Sequence, residues 1–514
     1  MPTSSNHFNL VPLPGRVDAR PGSFLLGPDT AVRALPGTRP AADLLCELLA
    51  PAIGRPLPSA ADGNVMLSLD DDLSALGGEG YDLDVRTDTV VLRAHRPAGL
   101  QRGVQTLRQL LPPRALARTP GDSDAWELPC AQITDSPRFA WRGAMLDVAR
   151  HYQPIAFLKR FVDLLAFHKL NVFHLHLTDD QGWRMPVAAY PKLTEIGGRR
   201  RETTGDGIPH GGFYTRAELA GLVAYAQARG VDVVPEIEMP GHVRAALAAY
   251  PELGNDPDRR LETWTRWGVC DTILGVHDEV LDFCRAVLDE VMDVFPSRHL
   301  HIGGEECPTT EWEASPRASR RAASLGLPGP KALHGWFMGT MADHIVARGR
   351  TPLGWTENGQ DLPPAFTAAT WRDDEHGLAA ARRGQQIVMA PHISTYLDYP
   401  QSDSPHEPAG QPGLVVDLKT VYHTEPAPDH WEPEAAARVL GAQAQLWTEY
   451  APTAEHIEYM AYPRLAAMAE ATWTTGRTWP GFQARMRVHQ ARLDALGVTR
   501  RPPRKEVPAQ ETGS

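Results

Sequence analysis

Residues 154 to 180 read PIAFLKRFVDLLAFHKLNVFHLHLTDD, a helical pattern followed directly by an apolar run that ends in two acids. Pro154 stands where a helix begins, because the first turn of a helix tolerates a proline. Residues 171–180 have the length and apolar content of a buried strand. The stretch therefore predicts one helix and one strand, with polar side chains at the carboxyl end of the strand.

The same unit recurs along the chain from residue 138 onward. A helical pattern at TRAELAGLVAYAQARG has a capping box of Thr215 and Glu218 and a closing Gly230. Eight apolar runs predict strands, at 142–150, 171–180, 231–242, 299–306, 350–357, 368–374, 386–392 and 442–449. Strands that alternate with helices and end in polar residues predict an α/β fold, a (β/α)8 TIM barrel with its active site at the carboxyl ends of the strands.

The chain before the barrel has a different pattern. The stretch YDLDVRTDTVVLRAHRPAGLQRGVQTLRQLL, residues 81–111, predicts two strands followed by a helix. Its polar residues do not gather into a site, so we interpret this smaller α+β domain as a packing module. The predicted organisation is an N-terminal α/β domain at 1–136, the catalytic barrel at 137–480, and a C-terminal helix and tail at 481–514.

Composition limits the possible partners. The 514 residues carry a net charge of −12, which disfavours nucleic acid, because phosphate binding needs clustered Lys and Arg. The five cysteines contain no CxxC pair, so neither a disulfide framework nor a zinc knuckle is indicated. No apolar run suits a membrane span or an export signal. We expect a soluble, cytoplasmic protein with no membrane partner, although a trimmed form of an exported protein would have the same pattern.

One stretch leaves two interpretations open. Residues 398–413, DYPQSDSPHEPAGQPG, follow the seventh predicted strand and contain too much Pro, Gly and Ser to be regular. A long loop at the mouth of a barrel shapes the substrate site in some enzymes, and in others it is an ordinary surface loop.

The chemistry of the chain is concentrated in long motifs. HIGGEE, residues 301–306, places two adjacent carboxylates after two flexible glycines. Together with MLDVARHY, HKLNVFHLHLTDDQGWR, VVPEIEMPGH, LGWTE and LWTE, it makes the region from about 138 to 475 resemble the β-N-acetylhexosaminidases of glycoside hydrolase family 20. That family also has a smaller α/β domain in front of its barrel.

The resemblance implies a glycosidase that needs two carboxylates and no cofactor. Glu306 would be the general acid/base, and Glu305 would orient the 2-acetamido group of the substrate, whose oxygen attacks to form an oxazolinium intermediate. The implied reaction removes terminal non-reducing β-linked GlcNAc from oligosaccharides such as chitooligosaccharides, or from glycoconjugates, with retention of configuration. Acceptance of GalNAc and the oligomeric state are left open.

The resemblance also implies roles for nine further residues. Asp179 and His242 resemble the relay that holds the acid/base and tunes its pKa. Tyr396 would donate a hydrogen bond to the acetamido oxygen. The others would hold the sugar: Arg150, Asp398 and Glu449 through its hydroxyls, and Trp355, Trp371 and Trp447 as aromatic walls.

At two positions the chain departs from the family pattern. Glu305 and Glu238 stand where Asp is usual. Each change extends a carboxylate by about 1.5 Å, and misplacement of that size in an active site costs ~10²-fold in rate. The orienting role is therefore more open for Glu305 than the acid/base role is for Glu306.

Two rival functions fit parts of the sequence. His174 and His176 form an HxH with Asp179 and Asp180 nearby, as in metal-dependent hydrolases, but His392 on a later strand is not enough to complete the ligand set. Metal analysis would test that hypothesis. The second rival is a non-catalytic sugar-binding barrel that lost turnover through the Asp-to-Glu changes. Hydrolysis of an aryl β-GlcNAc glycoside would distinguish it from an enzyme.

Overall fold

The computed structural model of the chain describes residues 8–117, 125–359 and 361–502. Its N-terminal part is a six-stranded sheet in the spatial order β1-β6-β4-β5-β3-β2. The strands are β1 (Arg16–Leu26), β2 (Val32–Ala34), β3 (Val65–Leu69), β4 (Tyr81–Val85), β5 (Val90–Ala94) and β6 (Trp126–Asp135). Helices α1 (Arg39–Ile53) and α2 (Pro97–Leu110) pack against each other, and α2 packs against β4 and β5. The two strands and the helix predicted at 81–111 are confirmed as β4, β5 and α2.

The second part is a closed barrel of eight parallel strands, which confirms the predicted fold. They are β7 (Trp141–Asp147), β8 (Val172–His176), β13 (Asp232–Glu236), β14 (His299–His301), β15 (Thr351–Thr356), β16 (Thr367–Thr370), β17 (Ile387–Met389) and β18 (Val439–Leu446). Two short ribbons, β9 (Thr178–Asp179) with β10 (Gly182–Trp183) and β11 (Arg199–Arg200) with β12 (His210–Gly211), follow the second barrel strand. All eight strands lie within or beside the predicted segments.

Helices alternate with the barrel strands. In chain order they are α3 (Ile155–Phe167), α4 (Lys192–Glu195), α5 (Arg216–Ala228), α6 (Arg244–Ala249), α7 (Asp278–Val294), α8 (Thr310–Ala314), α9 (Pro316–Ser324), α10 (Leu333–Ala347), α11 (Asp374–Arg382), α12 (His392–Thr395), α13 (Leu418–Tyr422), α14 (Pro433–Ala436), α15 (Ala454–Ala461), α16 (Arg464–Trp473) and α17 (Trp479–Ala495). The 3₁₀ turns are Asp71–Leu76, Pro113–Leu116, Pro251–Leu253 and Pro330–Ala332. The capping box of Thr215 and Glu218 is present. Within the described ranges, no helix has the combined length and apolarity that crossing a membrane would require.

Two boundaries differ from the sequence-based expectation. The strand predicted at 299–306 ends at His301, because Gly303 and Gly304 take left-handed backbone angles, with φ of 61° and 102°. The apolar pattern of HIEYMAYPRLAAMAEATW, residues 456–473, predicts a single last barrel helix. The structure divides this segment into α15 and α16 at Pro463, which lacks the N–H that an uninterrupted helix would use. The helix expected near 481–496 is α17, and residues 503–514 of the predicted tail lie outside the described residues.

A buried polar cluster joins the N-terminal sheet to the barrel. Asp135, at the end of β6, lies 2.8 Å from the ammonium nitrogen of Lys169 and accepts a 2.7 Å hydrogen bond from the hydroxyl of Tyr81. The indole N–H of Trp473 donates to the other Asp135 oxygen at 2.9 Å. Because a buried charge is tolerated only when it is paired and hydrogen-bonded, this cluster fixes the two parts against each other.

The irregular stretch after the seventh barrel strand is held by one buried side chain. The guanidinium of Arg464, on α16, donates to the backbone carbonyls of Leu397 at 2.6 Å, Tyr399 at 2.9 Å and Val416 at 2.6 Å. The carbonyls of Leu397 and Tyr399 lie at the start of the stretch 398–413. The carbonyl of Val416 lies between the end of that stretch and α13. The loop has no regular secondary structure, but Arg464 fixes both of its ends.

We expect Arg464→Met to destabilise the fold by about 3 kcal/mol or more, because methionine fills the space but leaves three buried carbonyls without a donor. Urea denaturation measures the loss, and limited proteolysis within 398–417 reports the loop. Arg487→Met on the exposed face of α17 is the control and should change stability by less than about 0.5 kcal/mol. Equal effects of the two substitutions would contradict the role given to Arg464.

Candidate active site

A cavity of about 280 Å³ opens at the carboxyl ends of the barrel strands. Ten of the eleven site residues predicted from the sequence line it, and the other, Asp179, lies directly behind it. The lining consists of Arg150, His242, Glu305, Glu306, Trp355, Trp371, Arg372, His392, Tyr396, Asp398, Tyr399, Gln411, Trp447 and Glu449.

The left-handed turn after β14 turns both adjacent carboxylates toward the cavity. Consecutive residues of a regular strand point to opposite faces. Here Gly303 and Gly304 have positive φ angles, and Glu306 itself has a φ of 44°. Glu305 is only 9% exposed, whereas the side chain of Glu306 is 36% exposed. One carboxylate therefore faces the dry interior of the cavity and the other faces its mouth.

A buried histidine connects Glu306 to Asp179. His242 Nδ1 lies 3.2 Å from Asp179 Oδ1, and its Nε2 lies 3.7 Å from Glu306 Oε2. Burial works to lower the pKa of His242, but the adjacent Asp179 carboxylate outweighs it and raises this pKa well above the usual range. The interaction with His242 lowers the pKa of Glu306 against the opposing effect of burial. An imidazolium thus lies between two carboxylates, and it favours the ionised form of Glu306.

Arg150 is fixed at the opposite side of Asp179. Its Nη2 lies 2.9 Å from Asp179 Oδ2, and its Nε donates to Gln181 Oε1 at 3.1 Å. Its guanidinium carbon lies 4.9 Å from the centre of the Trp447 ring, and Glu449 Oε1 is 3.9 Å from Nη2. The side chain is therefore held in place on all sides. Gln181 belongs to the TDDQGWR motif, but its residue type alone gave no reason to assign it a role.

Two buried carboxyl groups, one lining the cavity and one outside its lining, resist ionisation. Burial, followed by the negative charges of Glu305 and Glu236, raises the pKa of Glu238 well above its usual range. Burial also raises the pKa of Glu305 to about 8, with Glu236 adding to the shift. Among the described residues, Glu305 Oε2 and both oxygens of Glu238 have no hydrogen-bond partner. A buried acceptor without a partner is suited to bind an N–H group or a developing positive charge.

Aromatic rings enclose the space in front of Glu305. Trp355 is buried, and its indole N–H donates to Glu236 Oε1 at 2.7 Å. Its ring centre is 6.3 Å from that of Trp447, which is in turn 6.3 Å from that of Tyr396. Trp371 stacks on Tyr396 with an angle of 27° between the ring planes. Such walls accommodate an apolar group and the face of a sugar ring.

Four lining residues were not predicted from the sequence: Arg372, His392, Tyr399 and Gln411. Arg372 lies over the ring of Trp371, with 4.2 Å between its guanidinium carbon and the ring centre. Gln411 and Tyr399 belong to the stretch 398–413, as does Asp398. The structure therefore favours the first interpretation of that loop, because three of its side chains line the cavity. For Tyr399 and Gln411, the only sequence signal was the position of this loop after a barrel strand.

The HxH motif lies beneath this cavity. His174 Nδ1 is 2.9 Å from Gln443 Nε2, and His174 Nε2 is 3.1 Å from Glu236 Oε2. His176 contacts Glu236 and Asp179 through its two ring nitrogens. Both histidines are fully buried, and neither lines the cavity. His174 lies close enough to Glu236 and His301 for the three to hold a metal ion, but this group is buried beneath the cavity, whereas a catalytic metal needs a position open to substrate.

Comparisons with known proteins agree with this geometry. The family model described as glycosyl hydrolase family 20, catalytic domain, matches residues 139–476, and the model for domain 2 of that family matches residues 7–136. A beta-hexosaminidase of Porphyromonas gingivalis is 36% identical over 521 residues, covering 99% of this chain and 66% of that protein. A beta-hexosaminidase of Akkermansia muciniphila is 37% identical over 434 residues, covering 83% of this chain and 86% of that protein.

Solved structures give the same result. The exo beta-N-acetylglucosaminidase from Vibrio harveyi, in complex with N-acetylglucosamine, superimposes with a TM-score of 0.88 at 32% identity. The match covers 98% of this chain and 80% of that one. The N-terminal sheet and the barrel are therefore both shared with solved relatives, whereas this chain spans only about two thirds of the Porphyromonas relative.

Gly303 offers a direct test of the turn. A β-carbon at this position would lie 1.7 Å from Glu238 Oε2, so Gly303→Ala must displace the buried carboxyl groups. We expect kcat/KM on an aryl β-GlcNAc glycoside to fall by ~10² or more.

Gly349→Ala is the matched control, because Gly349 also has a positive φ, 73°, but has no atom within 4 Å of the new β-carbon. We expect it to lose about 1 kcal/mol of stability and to keep its activity. Similar activities of the two variants would contradict the packing described here.

Proposed function

The chain belongs to glycoside hydrolase family 20, and on that basis we propose that it is an exo-β-N-acetylhexosaminidase that removes terminal non-reducing β-linked GlcNAc. One observation carries the proposal: a half-exposed Glu306 in contact with His242 stands beside a buried, unsatisfied Glu305 in an aromatic cavity. The names of the relatives support the same activity. The substrate is then a small carbohydrate, either an oligosaccharide or the glycan of a glycoconjugate.

The reaction begins with two linked events at the anomeric carbon. Glu306 donates its proton to the glycosidic oxygen, and the bond from that oxygen to the anomeric carbon breaks. The carbonyl oxygen of the substrate's own acetamido group forms a bond to the same carbon, giving an oxazolinium ring. The Glu305 carboxylate accepts a hydrogen bond from the acetamido N–H, and its negative charge balances the positive charge that develops on this ring.

Water completes the reaction. The Glu306 carboxylate takes a proton from a water molecule, whose oxygen attacks the anomeric carbon and opens the ring. Two displacements at one carbon give a product with the original β configuration. His242 assists the first step, because its positive charge stabilises the carboxylate that Glu306 becomes after donating its proton.

The pKa values of the two acids are shifted in opposite directions. The pKa of Glu305 is raised to about 8 in the empty cavity, so this group holds a proton there and releases it to solvent when the acetamido N–H and the developing positive charge favour its carboxylate form. The pKa of Glu306 is lowered in the empty cavity, where the carboxylate form prevails, so Glu306 must take up a proton from solvent as the substrate binds before it acts as the acid.

The end of the cavity supports action on a terminal sugar. Asp398 has one carboxylate oxygen without a partner among the described residues, and burial together with the charge of Glu449 raises its pKa. Sugar hydroxyls would supply hydrogen bonds to Asp398 and Glu449 and accept them from Arg150. A cavity of about 280 Å³ is small for a ligand site, which favours the binding of one terminal sugar unit.

We expect Glu306→Gln to separate substrates by the quality of their leaving groups. Turnover should fall by ~10²–10⁴ for a poor leaving group such as a sugar, and by less for p-nitrophenol, which departs without a proton. Steady-state kinetics on chitobiose and on p-nitrophenyl β-GlcNAc measure the two cases.

Glu425→Gln is the control, because Glu425 pairs with Arg138 away from the cavity and should affect neither substrate. An equal loss on both substrates would remove Glu306 from the role of acid. A wild-type protein that binds GlcNAc but hydrolyses neither substrate would instead indicate the sugar-binding barrel.

A further inference from the structure

His176, at the end of the second barrel strand, faces a carboxylate from each of its ring nitrogens. Its Nε2 lies 2.9 Å from Asp179 Oδ2, and its Nδ1 is in close contact with Glu236 Oε2. The side chain is fully buried. A neutral imidazole has one N–H and one lone pair, so only one of these contacts could then be a hydrogen bond. Either the ring carries two protons, or one of the carboxyl groups is protonated.

The surroundings of Glu236 favour its ionised form. Its Oε1 accepts a hydrogen bond from the Trp355 indole at 2.7 Å and lies 2.8 Å from His301 Nδ1. Burial works to raise the pKa of Glu236, but His301 and His176 outweigh it and hold this pKa well below its usual range. The hydrogen bond from the Trp355 indole favours the carboxylate form of Glu236.

The surroundings of Asp179 give the same result. Its Oδ2 lies 2.9 Å from Arg150 Nη2, and its Oδ1 lies 3.2 Å from His242 Nδ1. Arg150 and His242 together hold the pKa of Asp179 well below its usual range, although burial acts against them. With both carboxylates ionised, the second proton belongs to His176.

We propose that His176 is a permanently protonated positioning residue that fixes Asp179 and, through it, Arg150 and His242. The inference rests on the proposed function. Asp179 Oδ2 is shared by His176 and Arg150, while Oδ1 accepts from the backbone N–H of Asp180 and faces His242. The charges then alternate in sign along one chain of contacts, from Glu236 through His176, Asp179 and His242 to Glu306.

The other groups facing His176 agree with a positive ring. Burial works to lower its pKa, but Glu236 and Asp179 raise it to about 10. Glu238 Oε1 lies 3.9 Å from Nδ1, and Asp147 on the neighbouring strand adds a further negative charge. The ring also meets Trp447 edge-on, with 4.9 Å between ring centres, so His176 supports the aromatic floor of the cavity as well.

His176→Gln tests the charge. The amide can donate to one carboxylate, but its oxygen must then face the other. We expect kcat to fall by ~10². The alkaline limb of the kcat/KM profile should move to higher pH, because loss of a buried positive charge raises the pKa of the Glu306 acid. A fall in kcat with an unmoved alkaline limb would show a structural role only and would overturn the proposal.

His174→Gln is the matched control. His174 lies on the same strand, is equally buried and also contacts Glu236, but it contacts Gln443 where His176 contacts Asp179. Burial lowers the pKa of His174 to about 4, so its replacement removes no charge at neutral pH. We expect its alkaline limb to stay in place. A shift equal to that of His176→Gln would also overturn the proposal.

Neutron diffraction from deuterated crystals of the wild-type protein tests the proton directly and does not depend on any variant folding. Deuterium on both ring nitrogens of His176 supports the proposal, and deuterium on one nitrogen alone overturns it. The measurement is also independent of turnover. An inactive wild type would therefore contradict the proposed function, while the neutron result would still decide the charge of His176.

Discussion

The carboxylate of Asp179 is the constraint on which the rest of the site depends. It is buried at the carboxyl end of the second barrel strand and lies within hydrogen-bonding distance of Arg150, His176 and His242. Buried charges are unfavourable unless they are paired and hydrogen-bonded, so each of these cations holds the others in place through a shared anion. Removal of any partner would leave an uncompensated charge in the barrel, and the acid/base would lose its fixed position.

Backbone geometry positions the two acids of HIGGEE beside this charge cluster. The barrel brings strand ends together, but a regular strand could not direct Glu305 and Glu306 toward one cavity. The left-handed turn at Gly303 and Gly304 does so, and the space above Gly303 is filled by Glu238. As a result, the buried carboxyl group of Glu305 lies next to the partly exposed carboxyl group of Glu306. Their pKa values are displaced in opposite directions by burial and by His242.

Much of this arrangement could be predicted from the sequence, because barrel strands are continuous apolar runs and the motif residues lie at their ends. The break at Pro463 was missed because the apolar pattern continues through it. Tyr399 and Gln411 were missed because a Pro- and Gly-rich loop has no periodicity from which to infer direction. The contacts of His176 were not predictable either, since Glu236 is distant in sequence and meets it only after β8 and β13 pair.

The central claim is that Glu305 directs the substrate's own acetamido oxygen to the anomeric carbon. The most direct test measures kcat for aryl β-glycosides whose N-acetyl group carries zero to three fluorine atoms. Each fluorine makes the carbonyl oxygen a weaker nucleophile without greatly changing its size. We expect kcat to fall steeply along the series, by orders of magnitude in total, and the matching β-glucoside to be inert. Rates that stay level along the series, with a sugar covalently bound to Glu305, would contradict the account.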